Sequence, residues 1–364
     1  MKTFWKALGI ILLVLVLLVA GYVAYVFLDY HRLDDNLDLP VEGTASGAAQ
    51  LCHDYKVVSY NIGFGAYESD YSFFMDGGEE SWAWSRERLD ANIQHIAATL
   101  RQTEADFYFA QEVDRDSTRS YHTDEAAAIR EALPGYCSVW GQNYDSPFLF
   151  WPLTQPHGSS VSGLMTFSSC SMTSSLRRSL PIEEGFMKLV DLDRCYTVSR
   201  VPVENGAELV LFCVHLSAYT SDGTIAVDQM EQLLQDMQQE YDKGNYCVCG
   251  GDFNKDLLGN SEEIFGNSAG EYTWAQPLPD SLFQNRNISL VAPLDPNQPV
   301  ASCRNADAPY HEGQYLVTVD GFLVSDNVTV QSAAVIDTGF AYSDHNVLVY
   351  PDLIQVGVSA DTGK

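Results

Sequence analysis

Two glycines, an acid, an aromatic residue and an amide follow a short apolar run in Cys247-Val-Cys-Gly-Gly-Asp252-Phe-Asn254. The run, Tyr246 to Cys249, predicts a buried strand. Glycines let the backbone turn sharply and admit another group at close range. Asp252 and Asn254 stand two positions apart, so an extended backbone directs both side chains to one side. A carboxylate and an amide placed together at a strand end can hold a water and a phosphoryl oxygen. The same pattern also suits an ordinary Asx turn, so this stretch needs company before it carries a function.

Company exists along the chain. Asn61 follows Val-Val-Ser-Tyr, Glu112 follows Phe-Ala-Gln, and His215 follows Phe-Cys-Val. Asp320 interrupts an apolar run, and Ser343-Asp344-His345 precedes Asn-Val-Leu-Val. Asn61 alone would suit a strand-end cap, and His215 alone would suit an ordinary rim histidine. Glu112 at the end of an apolar strand is harder to dismiss, because an unpaired carboxylate there is costly. Asp320 has the same need, and His345, 25 positions on, can supply the donor. The expectation is direct Asp320–His345 contact, with Glu112, Asp252 and Asn61 lining the same cleft. Arg200, in Val198-Ser-Arg-Val, is a lone cation that suits either a substrate phosphate or a plain surface ion pair.

The elements that must position these groups alternate. Strands are predicted at Lys56–Tyr60, Asp106–Ala110, Gly163–Phe167, Cys195–Val203, Leu209–Val214, Tyr246–Cys249, Leu316–Val324, Val328–Val335 and Val347–Tyr350. Helices are predicted at Ser85–Thr103, where Leu89, Ile93, Ile96 and Leu100 share a face, at Asp124–Leu133, and at Ala226–Tyr241. Several strands are apolar along their whole length, as strands covered on both faces are. The simplest architecture is two packed sheets with helices outside both, in one catalytic domain over residues 54–354 and a tail at 355–364.

Residues 7–28 hold no charge, and 22 residues of helix span about 33 Å, enough to cross a bilayer. Lys2 and Lys6 lie in the preceding 1–6 segment, so the positive-inside bias predicts a cytoplasmic N-terminus and an outward-facing domain. A cleaved signal peptide is the rival. Residues 29–53 read as a short linker. Residues 1–33 carry a small positive excess against a net charge of −29, so the acidity lies in the rest of the chain. Such a body disfavours tight non-specific nucleic-acid binding, which needs many basic contacts, yet permits attack on a single metal-screened phosphate. The eight cysteines show no zinc-like second pair, and disulfides remain open for an extracellular domain. Tyr71–Trp84 and Ser146–Pro152 are aromatic-rich. Both read as satellite hydrophobic clusters, the alternative being a lipid- or ligand-facing lip.

Taken together, Val58-Ser-Tyr-Asn61, Gln111-Glu112, Val214-His-Leu216, Gly251-Asp-Phe-Asn254, Val319-Asp320-Gly-Phe and Ser343-Asp-His345 resemble the endonuclease/exonuclease/phosphatase superfamily, over about residues 55–350. The resemblance implies a four-layer α/β sandwich of two mixed sheets flanked by helices. It implies Mg²⁺, with Mn²⁺ as substitute, held mainly by Glu112, with Asn61 assisting and Asp344 ligating directly or through water. Asp252 would activate the attacking water and Asn254 would hold water and phosphate in line. His345, fixed by Asp320, and His215 would donate to the phosphate; the base assignment between Asp252 and the His345–Asp320 pair stays open. The expected enzyme is a membrane-anchored phosphoesterase acting on a phospholipid headgroup or nucleic acid, the latter not favoured by charge, with no protein partner inferable. The alternatives are a secreted or surface endonuclease and a non-catalytic binding module on the same fold.

Overall fold

The charge-free run winds into α1 (Lys2–Asp29), almost wholly exposed and with a mean hydropathy of 2.9 over its most apolar 18 residues. The computed structural model describes residues 1–182, 185, 188, 193–218, 224–268 and 274–356. Residues 29–53, expected as a linker, instead run along the domain. They add β1 (Leu37–Asp38) to the edge of one sheet and β2 (Glu42–Gly43) to the edge of the other.

The chain then lays down β3 (Asp54–Asn61), α2 (Arg86–Thr103), β4 (Phe107–Asp114), α3 (Glu125–Ala132), β5 (Cys137–Leu149), β6 (Gly158–Ser168), β7 (Ser174–Ser179), β8 (Cys195–Pro202) and β9 (Glu208–His215). After α4 (Thr224–Asp242) come β10 (Tyr246–Asp252), α5 (Ser261–Phe265), β11 (Ile288–Val291), β12 (Cys303–Arg304), β13 (Leu316–Val317), β14 (Asp320–Ser325), β15 (Val328–Val330), β16 (Ala334–Ile336) and β17 (Val347–Val356). One sheet runs β1-β7-β8-β9-β10-β14-β11 and the other β15-β17-β3-β4-β6-β5-β2, with β16 on β17. Helix α2 starts where expected because the Ser85 side chain accepts from Arg88 N–H.

Alternate residues on each strand face different layers. Val57, Phe107, Phe109, Leu209, Leu211, Val248 and Phe322 fill the space between the sheets. Val58, Tyr60, Tyr108 and Ala110 turn outward to Leu89, Ile93, Ile96 and Leu100 of α2. Val210, Phe212, Cys247 and Cys249 turn outward to Met230, Leu233, Leu234 and Met237 of α4. Three apolar layers therefore hold four structural layers together, as the doubly covered strands required. All eight cysteines are free.

Two long strands predicted from apolar runs are divided. Leu316–Val324 splits because Leu316 and Val317 pair with β12, whereas Asp320 onward pairs with β10 and β11. Val328–Val335 splits into β15 and β16, which pair with opposite halves of β17 across its irregularity between Tyr350 and Ile354. Apolarity marks burial but does not choose the partner strand. Strands β5 and β7 carry more polar residues and β11 is only four residues long, so the apolar pattern predicts none of the three.

Candidate active site

Two pairs of parallel strands set the site. β3 and β4 run parallel, as do β9 and β10. Their carboxyl ends carry Asn61, Glu112, His215 and Asp252 to one rim, the end where open α/β sheets bind ligands. Asp252 is directly opposite His215 on one side and Asp320 on the other, so three site residues share one cross-strand row. His345 enters from the loop before β17.

Closing this row needs the two glycines. A Cβ on Gly250 would lie 2.4 Å from the Phe109 ring across the sheet interface, and one on Gly251 would lie 2.0 Å from Val214 O. Glu112 is aimed differently. The β4–β6 ladder shifts between Ala110 and Val113, and Glu112 sits at φ 55°. A bulge of this kind re-aims a side chain at a sheet rim, and strained backbone there is held by its surroundings.

The side chains meet around Asp252 Oδ2. Asn61 Nδ2 donates to it at 3.0 Å and to Glu112 Oε1 at 3.2 Å. His215 Nε2 lies 3.4 Å from the same oxygen and His345 Nε2 3.7 Å. Asn254 N–H donates to Asp252 Oδ1 at 2.8 Å, while Asn254 Nδ2 braces Leu216 O at 2.8 Å. His345 Nδ1 donates to Asp320 Oδ2 at 2.7 Å, which is the contact expected from the sequence. Ser302 Oγ, which no sequence signal pointed to, accepts from the Val319 and Asp320 N–H groups and fixes the start of β14. Ser343 Oγ donates to Asn61 O at 2.8 Å and accepts from His345 N–H at 3.1 Å, tying the end of β3 to the loop before its neighbour β17.

Burial and charge divide the titratable groups. Burial pushes Asp252 up to about 7, with Asp320 adding to the rise and His345 opposing it. Burial, with Glu112 close by, raises Asp344 to about 6. Burial also works against a charged His345, but Asp320, Cys303 and Asp344 outweigh it and hold its pKa well above the ordinary imidazole value. His215 goes the other way: burial, then Arg194 and His345, hold it well below that value. The surroundings thus favour the cationic form of one imidazole and the neutral form of the other, an arrangement that can donate to a phosphoryl oxygen and exchange a proton nearby.

The donor set fits a hard cation. Glu112 and Asp344 are oxygen donors beside Asn61, and among the described residues neither carboxylate makes an ion pair. Gly63 leaves room there, since a Cβ would lie 3.1 Å from Asp344 Oδ1. Two tighter clusters, Cys303–Asp344–His345 and Asp252–Asp320–His345, share His345. A protonated imidazole held by Asp320 offers no lone pair to a metal, whereas the Glu112 and Asp344 carboxylates could hold one. Asn61 Oδ1 accepts from Gly63 N–H at 3.0 Å, so as placed Asn61 joins Glu112 to Asp252 through its nitrogen.

Arg200 is not brought to the site. It lies opposite Val210, five residues and about 17 Å down β9 from His215. It pairs with Glu240 at 2.8 Å and Glu208 at 2.5 Å, so the substrate-binding expectation gives way to the ion pair. The two aromatic stretches part company. Tyr71, Phe73 and Ala83 are buried beneath their loop, whereas Phe148, Phe150 and Trp151 are exposed.

The profile of the Endonuclease/Exonuclease/phosphatase family matches residues 58–345. A search of curated proteins returned no match. Among solved structures, the chain is similar to an endonuclease/exonuclease/phosphatase from Beutenbergia cavernae DSM 12333, at 19% identity and TM-score 0.58, covering 84% of this chain and 72% of that one. It is also similar to ANGEL2, a 2′,3′-cyclic phosphatase, in complex with adenosine-2′,3′-vanadate, at 15% identity and TM-score 0.56, covering 87% and 99%. The human Nocturnin catalytic domain with bound sulfate gives 19% identity and TM-score 0.50, covering 86% and 96%. With the family profile spanning both rims of the cleft, the chain belongs to the endonuclease/exonuclease/phosphatase family of metal-dependent phosphoric ester hydrolases.

Proposed function

We propose that this chain is a membrane-anchored phosphodiesterase, held by α1 with its catalytic domain outside the cytoplasm, that cleaves a phosphodiester by in-line attack of water. The observation that carries the reading is the convergence of Asn61, His215 and His345 on one oxygen of Asp252. A water accepted by that carboxylate would sit among donors suited to the phosphoryl oxygens. Asp252 would take the water's proton, and Asn254 N–H holds its other oxygen in place. His345, kept cationic by Asp320, would stabilise charge developing on the phosphoryl group. Neutral His215 would donate to the phosphate or leaving oxygen. Mg²⁺ or Mn²⁺, held by Glu112 and Asp344 with Asn61 alongside, would neutralise phosphoryl charge when bound.

An exposed apolar helix behind Lys2 and Lys6 supports the anchor and its orientation. The acidity of the domain weighs against a nucleic-acid substrate. The intact constellation weighs against a non-catalytic binding module. Turnover of bis-p-nitrophenyl phosphate, measured with and without EDTA, tests the reading: hydrolysis abolished by chelation is expected, and no turnover under any divalent cation would sink it.

A further inference from the structure

We propose that the loop Pro147–Leu153 is a membrane lip that lies in the outer interface of the bilayer holding α1 and turns the cleft toward it, so that the phosphoester cleaved belongs to a lipid headgroup of that bilayer. This rests on the anchored-phosphodiesterase reading above and names its substrate class.

Its first three residues end β5 and Phe150–Leu153 begin the connection to β6, and four large apolar side chains of this segment face outward. Phe148 is 37% exposed, Phe150 49%, Trp151 65% and Leu153 75%. Apolar surface gathered in this way marks an interaction site. Its neighbour identifies the partner. The Phe150 ring packs edge-on against Tyr22 of α1 at 4.6 Å. Tyr22 Oη donates to Phe148 O at 3.0 Å, and Phe148 N–H donates to Tyr25 Oη at 3.0 Å. Tyr25 and Tyr22 lie about 6 and 10 Å inside the end of α1 at Asp29. The loop therefore sits beside the last two turns of the apolar helix, where tyrosines of a spanning helix occupy the lipid interface.

The attachment is fixed. Beyond α1, His31 Nε2 meets Asp145 Oδ2 at 3.1 Å, and Arg32 donates to Leu180 O at 2.7 Å. β1 and β2 then fasten the chain to both sheets. The base of the loop is held as well: Trp82 Nε1 donates to Pro156 O at 2.8 Å and Ser81 Oγ to Gln155 O at 2.6 Å. The domain is therefore not free to swing about its anchor.

The lip and the cleft share one end of the sandwich. β6 runs antiparallel beside β4, with Ser162 opposite Asp114, two residues past Glu112. From Ser162 the hairpin continues four residues outward to Gly158, about 14 Å beyond the rim. β5 stands two strands, about 10 Å, to the side of β4. A lip in the interface thus brings the cleft mouth toward headgroup level. The contact is apolar and the domain acidic, so insertion of these side chains, rather than attraction to anionic lipid, would hold the lip down.

The test uses the full chain reconstituted in phosphatidylcholine vesicles that also carry sphingomyelin, phosphatidylinositol or phosphatidylglycerol. Brominated acyl chains should quench Trp151, read as the difference between the wild type and Trp151→Phe. Absence of that difference overturns the lip. Replacing Phe148, Phe150, Trp151 and Leu153 with serine should lower release of headgroup phosphate from vesicles by about tenfold or more, while bis-p-nitrophenyl phosphate hydrolysis stays within about twofold. Trp151→Ser alone, at a position with little packing to lose, should show the same selective loss. Vesicle hydrolysis unchanged in both variants overturns the inference. A wild type that cleaves bis-p-nitrophenyl phosphate but releases no headgroup from any vesicle overturns the lipid substrate and leaves the phosphodiesterase reading standing. A wild type inactive on both removes that reading, whereas the Trp151 quenching still reports on the lip.

Discussion

At the scale of single residues, Asp320 and His345 form one hydrogen-bonded pair. Asp320 is buried, and its Oδ1 has no hydrogen-bond partner among the described residues, so its contact with His345 is its main compensation. Asp320→Asn and His345→Ala should each lower turnover on the order of 10²-fold, as lost transition-state donors do. The double variant should be barely worse than His345→Ala, because groups working as one unit are non-additive; strictly multiplicative losses in steady-state kinetics would refute the unit. Glu112 should be the most metal-sensitive position. Glu112→Gln keeps the hydrogen bond from Asn61 but removes a ligand charge, so activity should fall and its half-saturating Mg²⁺ concentration rise by about tenfold or more. An unchanged Mg²⁺ titration would assign the metal elsewhere. The Asp320–His345 pairing was legible in the sequence because a carboxylate inside an apolar run must find a donor. Arg200 was not, because an isolated cation has no such unique partner, and Glu240 lies 40 positions away on α4.

At the scale of elements, the site depends on how closely the strands and sheets approach. Gly250→Ala drives a methyl into Phe109 and Phe322 in the interface between the sheets. The expected cost is about 1–3 kcal/mol, as for overpacked cores, visible as a lower urea midpoint at unchanged m-value. A wild-type midpoint would show that the sheets can part without cost at this point. The motif glycines could be read from sequence as points of close approach, and both proved so. The bulge that aims Glu112 left no comparable mark, because Gln111-Glu112 reads simply as the end of the Asp106–Ala110 strand and only pairing with β6 exposes the extra residue.

At the scale of the molecule, charge and topology give two expectations. Glu240 of α4 accepts from Arg200, Lys243 and Asn245. Burial raises its pKa, but these three donors outweigh burial and bring it down to about 2. The folded state therefore binds the ionised form better than the unfolded chain does. That stabilisation is fully present above the ordinary glutamate value of 4.5 and is lost as pH falls toward 2. Glu240→Gln should lose on the order of 1–3 kcal/mol at neutral pH, with the gap to wild type closing between about pH 4.5 and 2. Chemical denaturation across that range measures it, and a gap independent of pH would contradict the assignment. The proposed anchor predicts that protease applied to intact cells shaves the catalytic domain from the surface; protection of the domain, or recovery of a mature chain starting after the apolar run, would count against an uncleaved, outward-facing anchor.

The sequence by itself determined the class of fold and the layers, and it named most of the side chains that meet at the cleft, Arg200 excepted. Doubly apolar strands require cover on both faces, and a carboxylate within or at the end of such a strand must find a partner. Tertiary structure alone decided which strands pair, where the long runs break and how the domain packs against α1. Apolar patterning is the same for any partner strand, so register and neighbour come only from long-range packing. The stretch 29–53 illustrates this. Its composition suits a free linker, but unpaired sheet edges at β7 and β5 recruit it. The aromatic stretches illustrate it again: Tyr71–Trp84 and Ser146–Pro152 have similar composition, yet one is folded under the rim and the other left outside beside α1. Position in the fold, not residue type, separates the two.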